Sequence, residues 1–236
     1  MANSTGDHAA AKRRAEEALA LHERFGDTWG AVYSRFLLGV SAAEEEDFEK
    51  ARPLMADSLE RFLELGDDYY ARVAATNLGY FYEELGDLAR ARELLEGVVR
   101  LAREAGDERS EASALGQLAV VARMQGQNDD ALALLDQSLR IWPRFGDLMM
   151  TSRDLRRLAR VLAEMGRPES AAKVLSASEV LREEAGAVEG GYAQAIEEVL
   201  ALIRPPLDEA AFERAWTEGS ALSADEALAL AHDSLY

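Results

Sequence analysis

Residues 66–107, GDDYYARVAATNLGYFYEELGDLARARELLEGVVRLAREAGD, contain the pattern from which the fold is predicted. A Gly-Asp pair opens the stretch, a second divides it at Gly86-Asp87, and a third closes it. Apolar residues recur at helical spacing in both halves. Because glycine suits the left-handed C-cap of one helix and aspartate suits the N-cap of the next, the stretch predicts two helices joined by a tight turn.

The pattern recurs along the chain with a period of forty residues. A lone helix pair cannot bury both of its apolar faces, so repeated pairs are expected to stack on one another. Three series of equivalent residues share the period. The first consists of the Gly-Asp pairs that begin at Gly26, Gly66, Gly106 and Gly146, and Gly186 continues it. The second consists of Gly86, Gly126 and Gly166, with Gly6 in phase and Glu46 where a glycine is expected, and the third, the alanine ladder, consists of Ala11, Ala51, Ala91, Ala131 and Ala171.

The repeats predict an all-α fold, a right-handed superhelical solenoid of antiparallel helix pairs. Each helix is expected to be about 25 Å long, at a rise of about 1.5 Å per residue. A leader is predicted at residues 1–5, the repeats at 6–203 and a C-terminal helical cap at 204–236. Within the repeats we expect a half pair at 6–25, full pairs at about 27–65, 67–105, 107–145 and 147–185, and a further helix at 187–203.

Small and large apolar residues stand at fixed offsets in the central repeat, at Leu78-Gly79, Tyr82, Gly86, Ala91, Leu95 and Val98. These positions resemble the signature of the tetratricopeptide family. The family's repeat has 34 residues, so a period of forty implies longer helices. The resemblance implies a module that binds a protein or peptide in a concave groove lined by the first helix of each pair. Another solenoid of helical pairs is the alternative fold.

The composition argues against several classes of protein. The formal net charge of −18 would repel the phosphates of a nucleic-acid duplex. No window holds the roughly 18 apolar residues that span a membrane, and the first residues lack a secretory signal. Cysteine is absent, which rules out disulfides and thiolate metal sites. We expect a cytoplasmic protein that binds neither a membrane nor nucleic acid directly.

The sequence offers no arrangement typical of an active site. His8, His22 and His232 are far apart and form no His-x-x-x-His or Glu-x-x-His pair for a metal. The acidic run at residues 44–47 is typical of a solvated helix end. We therefore expect no catalytic residue, no metal and no cofactor, and we predict that the chain is not an enzyme.

A basic stripe is unusual in this acidic chain. Arg153, Arg156, Arg157 and Arg160, the arginine stripe, follow the i, i+3, i+4, i+7 pattern and share one helix face. Like charges at this spacing repel by a few tenths of a kcal/mol per i, i+4 pair, so the stripe needs acidic neighbours or an anionic ligand. Two interpretations stay open: ion pairs to flanking repeats, and recognition of an acidic guest.

The tetratricopeptide resemblance places the arginine stripe in the groove. The groove would be apolar and aromatic at one end and lined by guanidinium groups at the other. Arginine forks bind carboxylates bidentately, so the implied guest is a protein or peptide with an acidic end. The lysine of the family's carboxylate-clamping versions is absent. The implied groove residues are Tyr33, Phe36, Val40, Thr76, Asn77, Tyr80, Gln117, Val120, Arg153, Arg156, Arg157 and Arg160.

The segment after the last repeat leaves the forty-residue register. Phe212 and Trp216, at i and i+4, are predicted to cover the apolar face of the last repeat. Gly219 is expected to end their helix. The motif from Ser223 to Glu226 is a capping box, which predicts one more helix.

Residues 211–227 resemble the segment that closes the tetratricopeptide region of LuxR-type and related bacterial signal-transduction ATPases. The resemblance implies the sensor or interaction region of a bacterial signalling or transcriptional regulator. The Gly-x-x-x-x-Gly-Lys-Ser/Thr motif that binds phosphate in such ATPases is absent from this sequence.

The first predicted helix lacks the partner that would complete its pair. Terminal repeats usually present a polar face, whereas this helix is expected to expose Ala11, Ala15, Ala18 and Leu19. Either another domain precedes the segment, or two copies of the chain meet there. The second case is the alternative function, a self-assembling structural scaffold that forms a homodimer through this helix.

Overall fold

The computed structural model describes residues 4–186 and 192–233, which form helices joined by short turns and contain no strand. A 3-10 helix, Trp142–Phe145, follows the seventh α-helix. The α-helices are α1 Ser4–Phe25, α2 Thr28–Glu44, α3 Phe48–Glu64, α4 Asp68–Glu84, α5 Leu88–Ala105, α6 Glu108–Met124, α7 Asn128–Ile141, α8 Leu148–Glu164, α9 Pro168–Glu184, α10 Tyr192–Ile203, α11 Glu209–Ser220 and α12 Ala224–Asp233.

The chain divides into two compact units, Met1–Ser110 and Glu111–Tyr236. In the first unit, each helix from α1 to α4 packs on the helix that follows it. In the second unit, α8 packs on α7 and α9, and α9 packs on α11. The short turns make consecutive helices antiparallel, so both units consist of helix pairs and the predicted all-α fold class is confirmed.

The helix boundaries differ from the expected ones near both ends. α1 begins at Ser4, inside the segment expected to be a leader. The further helix expected at 187–203 is α10, and residues 187–191 lie outside the described part of the chain. α11 and α12 lie in the segment expected to form the cap.

The turns follow the predicted glycine and aspartate pattern. Eight glycines, from Gly26 to Gly186, have positive φ, and the gap in their spacing is filled by Glu46 with a φ of 59°. Aspartates cap α2, α3, α4, α5 and α8, whereas α7 and α9 begin without a side-chain cap. For example, Asp67 accepts a hydrogen bond from the backbone N–H of Tyr70 at 3.0 Å. The predicted capping box also forms, and its serine backbone N–H donates to the glutamate carboxylate at 2.8 Å.

We expect Glu46→Gly to stabilise the chain by about 1 kcal/mol. A side chain in the left-handed region costs about 1–2 kcal/mol, and glycine avoids most of that cost. Urea denaturation of the two proteins measures the difference. The reciprocal change Gly86→Glu should destabilise by a similar amount, because φ is 77° there and nothing lies within 4 Å of an added Cβ. A Glu46→Gly protein no more stable than its parent would contradict this account.

The alanine ladder lies within the helix contacts. Its four later members are each 0% exposed: Ala51, Ala91, Ala131 and Ala171. Ala11 is exposed, because α1 has its main packing contact with α2 alone. The expectation that Ala15 is exposed was wrong, since contact with α2 leaves it 4% exposed. Ala18 and Leu19 are half-buried.

α11 covers the last repeat through two aromatic residues, as predicted. Phe212 is buried, and its ring stacks on that of Trp216 with the centroids 5.5 Å apart. Gly219 does not end the helix, contrary to expectation, because α11 continues to Ser220. A Cβ at Gly219 would clash with the backbone of Lys173, so this glycine allows α11 to cross α9 closely.

Candidate functional site

In the second unit, the predicted groove positions of α6 and α8 lie side by side. Gln117 and Arg157 are equivalent positions of successive repeats, and Arg157 Nη2 donates to Gln117 Oε1 at 2.7 Å. Towards the C-terminal ends of the same helices, Arg123 Nη1 donates to Glu164 Oε1 at 2.9 Å. Val120 is half-buried on α6, while Gln117 is only 8% exposed. Successive first helices therefore share one face in the register that the repeat predicts.

Arg157 also contacts a buried carboxylate that was not among the predicted site residues. Asp154 is 0% exposed, and its Oδ1 accepts from Arg157 Nη1 at 2.8 Å. Its Oδ2 accepts from Trp142 Nε1 at 3.0 Å and from the hydroxyl of Ser138. A buried carboxylate is tolerated when it is paired and hydrogen-bonded, and Asp154 is both. The guanidinium of Arg157 is thereby fixed in place.

Two sequence features make room for this network. A Cβ at Gly116 would lie 2.7 Å from both Asp154 Oδ1 and Arg157 Nη1, so glycine leaves the space that the ion pair occupies. Pro143 lies in the 3-10 helix that follows α7, and Trp142 at the start of that helix is 3% exposed. In the sequence, an aspartate among four arginines is typical of a solvated face, and only its i, i+3 spacing to Arg157 indicated an ion pair.

Arg160 is engaged by two carboxylates. Its Nε donates to Glu164 Oε1 at 3.2 Å, and its Nη1 donates to Glu198 Oε2 of α10 at 2.8 Å. The hydrogen bond from Arg160 lowers the pKa of Glu198 below its usual value, and a hydrogen bond from Gln194 adds to the effect. For Arg157 and Arg160, the structure therefore contains the acidic neighbours that the arginine stripe requires.

Arg153 and Arg156, the other two residues of the arginine stripe, are half-buried and interact with neighbouring groups. Burial raises the pKa of Glu179 on α9, although the positive charges of Arg182 and Arg156 offset part of the rise. The opposite face of α8 is apolar, as the spacing predicts, with four residues each 0% exposed: Leu155, Leu158, Ala159 and Leu162.

In the first unit, the predicted groove residues lie on α2 and α4. Phe36 is 7% exposed and belongs to the hydrophobic core, so little of its ring reaches solvent. The side chains of Thr76 and Asn77 donate to carbonyl oxygens one turn earlier in α4, at 2.9 Å each. The half-buried members of this set are Tyr33, Val40, Thr76, Asn77 and Tyr80.

An aromatic cluster extends this face towards the start of α2. Trp29, which the sequence interpretation left out, stacks on Tyr33 with ring centroids 5.2 Å apart. Tyr70 packs edge-on against Tyr33 at 5.3 Å, and burial followed by the neighbouring Tyr33 raises the pKa of Tyr70. Trp29 Nε1 donates to Asp67 Oδ2 at 2.9 Å, which ties α2 to the N-cap of α4. The i, i+4 spacing of Trp29 and Tyr33 was the signal that could have identified it.

The opposite end of α4 combines an aromatic side chain with carboxylates. The ring of Tyr80 packs edge-on against Phe48, with centroids 5.6 Å apart. Burial raises the pKa of the Tyr80 hydroxyl, and the negative charge of Glu84 raises it further. This face of the first unit is therefore apolar and aromatic with an acidic edge.

A cavity of about 320 Å³ lies between the turn after α1 and the end of α3. Its charged lining residues are largely paired with one another: Arg35 with Glu23 at 2.7 Å, and Arg61 with Glu64 at 2.9 Å.

Within residues 4–186 and 192–233, no group of three or more acidic or histidine side chains could hold a metal ion. No helix in this part of the chain is long and apolar enough to cross a bilayer.

Comparison with known proteins supports the repeat assignment. A sequence profile of the tetratricopeptide repeat matches residues 69–144 and 110–183. Residues 69–183 are therefore similar in sequence to tetratricopeptide repeats. Such repeats generally mediate interactions between proteins and are typically non-catalytic scaffolds. No curated protein matches the chain in sequence.

Solved structures are similar to this chain in fold at low sequence identity. BtubC (BKLC) from P. vanneervenii is 19% identical, with a TM-score of 0.62 over 96% of this chain and 90% of that one. Two structures of nearly identical TPR-like repeats of a putative kinesin light chain from Podosopora anserina are each 18% identical. Their TM-scores are 0.57 and 0.55, over 77% and 78% of this chain and 90% and 91% of theirs.

Proposed function

We propose that this chain binds a protein or peptide through one face of α2, α4, α6 and α8, which are the first helices of the helix pairs. The observation that carries the proposal is the hydrogen bond between Gln117 and Arg157, because it places equivalent positions of α6 and α8 on one face. Regular side-chain rows on adjacent helices offer an extended surface to a peptide. The tetratricopeptide repeats at 69–183 support the same role.

The second unit's face favours a guest that carries carboxylates. Three of its guanidinium groups already bind carboxylates within the chain: Arg123 with Glu164, Arg157 with Asp154, and Arg160 with Glu164 and Glu198. The face is therefore chemically suited to acidic side chains or a free C-terminus. The first unit's face, with Tyr33, Val40 and Tyr80, favours apolar side chains.

We further propose that the chain is the sensor or interaction region of a cytoplasmic bacterial signalling or transcriptional regulator. The support is the resemblance of residues 211–227 to the closing segment of such proteins. In this chain the corresponding helices, α11 and α12, pack on the last repeat. A pull-down from a bacterial lysate would test this assignment: a captured signalling protein favours it, and capture that is unchanged when the arginine stripe is mutated argues against it.

We expect the double substitution Arg156→Ala with Arg160→Ala to weaken binding of an acidic peptide about fivefold, because each exposed ion pair contributes about 0.2–1 kcal/mol. Fluorescence anisotropy with a labelled peptide that ends in a run of glutamates measures the affinity. Binding should also weaken as salt rises, since exposed charges are screened beyond about 8 Å at physiological ionic strength.

The matched control is Arg13→Ala with Arg14→Ala, which removes the same charge from exposed positions on α1. Its effect on affinity should be smaller. The melting temperature of both double variants is measured as well. If the stripe variant loses melting temperature while its peptide affinity stays unchanged, the stripe has only a structural role and the groove proposal loses its support.

A further inference from the structure

α10 departs from the repeat at several positions, and the residue at one of them contacts the arginine stripe. The repeats place a leucine at Leu78, Leu118 and Leu158, and these leucines are 5%, 5% and 0% exposed. The equivalent residue of α10, forty residues after Leu158, is Glu198. A charged residue replaces a core residue there, so α10 cannot pack as the earlier first helices do.

Glu198 instead contacts Arg160, and the contact neutralises this part of the second unit. Arg160 and Arg123 contribute two positive charges, and Glu164 and Glu198 contribute two negative ones. The side chain of Glu198 is the most exposed of the four at 47%, against 16% for Arg123 and 25% for Glu164. Glu198 is therefore the carboxylate that exchanges most readily with another.

α10 itself is anchored independently of this ion pair. Ile196, Val199 and Ile203 are 9%, 2% and 0% exposed and belong to the hydrophobic core of the second unit. Loss of an exposed ion pair costs much less than loss of these buried side chains. The Glu198 side chain can thus leave Arg160 while the α10 backbone stays in place.

We infer that Glu198 is a built-in competitor, which occupies the position on Arg160 that the carboxylate of an acidic guest must take. This inference rests on the proposed function of the same face. A guest carboxylate binds by replacing Glu198, and the affinity of the face for acidic peptides is reduced by that exchange. The same contact indicates the guest's chemistry: a carboxylate, on an acidic side chain or at a free C-terminus, that can take the place of Glu198 on Arg160.

We expect Glu198→Gln to bind the labelled acidic peptide about two- to fivefold more tightly than the parent, the equivalent of an exposed ion pair of about 0.4–1 kcal/mol. Glutamine keeps the size of the side chain and removes its charge. Glu197→Gln is the matched control, because Glu197 is an exposed neighbour for which no ion pair is found among the described residues. It changes net charge equally and should leave the affinity unchanged.

A double-mutant cycle separates competition from a general change in charge. In an Arg160→Ala background, Glu198→Gln should no longer raise the affinity for the peptide, because the guanidinium for which Glu198 and the peptide carboxylate compete has been removed. If Glu198→Gln and Glu197→Gln bind equally while Arg156→Ala with Arg160→Ala still weakens binding, this inference is overturned and the proposed function stands. If no variant binds the peptide, both are overturned.

Discussion

Asp154→Ala should lower the free energy of unfolding by about 3–5 kcal/mol, the largest effect that we expect of a single substitution. The change removes the carboxylate that accepts hydrogen bonds from Arg157, Trp142 and Ser138. It leaves a guanidinium whose side chain is only 16% exposed without its charge partner. Leaving one member of a buried pair uncompensated costs more than the net contribution of the pair itself. Urea denaturation followed by circular dichroism gives the difference.

Two further variants identify the source of the loss. Asp154→Asn keeps an oxygen acceptor but removes the charge, so its loss should be smaller than that of Asp154→Ala. Asp154→Leu combined with Arg157→Met replaces both charges with apolar groups and should recover much of the stability. An Asp154→Ala protein within about 0.5 kcal/mol of the parent would show that the site behaves like a surface position, contrary to the buried network.

Ala91→Leu should destabilise the chain by about 1–3 kcal/mol. Ala91 is 0% exposed on α5, and a larger side chain there must displace neighbouring groups in a closely packed interior. The melting temperature of the purified protein should fall accordingly. The same substitution at any inner member of the alanine ladder should act in the same direction, because the ladder occupies equivalent positions.

The chain contains its own control for this effect. Ala11 belongs to the same ladder but is exposed, so Ala11→Leu should change stability by no more than about 0.5 kcal/mol. The comparison holds the substitution and the repeat position constant and varies burial alone. Equal losses at Ala11 and Ala91 would mean that helix propensity or another local effect, and not packing, sets the cost.

The helices and turns could be predicted because they depend on residues close in sequence. Glycine or aspartate at the turns indicates where one helix ends and the next begins. The Ala51, Ala91, Ala131 and Ala171 positions follow from the period. The sequence also showed that Glu46 occupies a turn position at which the spacing predicts a glycine. Gly219 shows the limit of this reasoning, since its role in the contact between α11 and α9 cannot be distinguished from a helix stop by sequence alone.

The candidate site was predicted only in outline. Helical spacing placed the four arginines on one face of α8, and the period made Gln117 the equivalent of Arg157. The partners of those arginines were not predicted, nor was Trp29 in the aromatic cluster. Phe36 has the spacing of a groove residue, yet the packing of α2 places it in the core.

The all-α fold, the forty-residue register and the face on which the arginine stripe lies could all be predicted from the amino-acid sequence. Each of these depends on periodicity or on turn residues, which are local properties repeated along the chain. The ion pairs between helices, in contrast, depend on tertiary packing. Arg160 contacts Glu198, a residue 38 positions away, and Asp154 is buried because Gly116 and the 3-10 helix with Trp142 leave space around it. Such pairings depend on how separate helices pack, and charge patterns along one helix do not specify them.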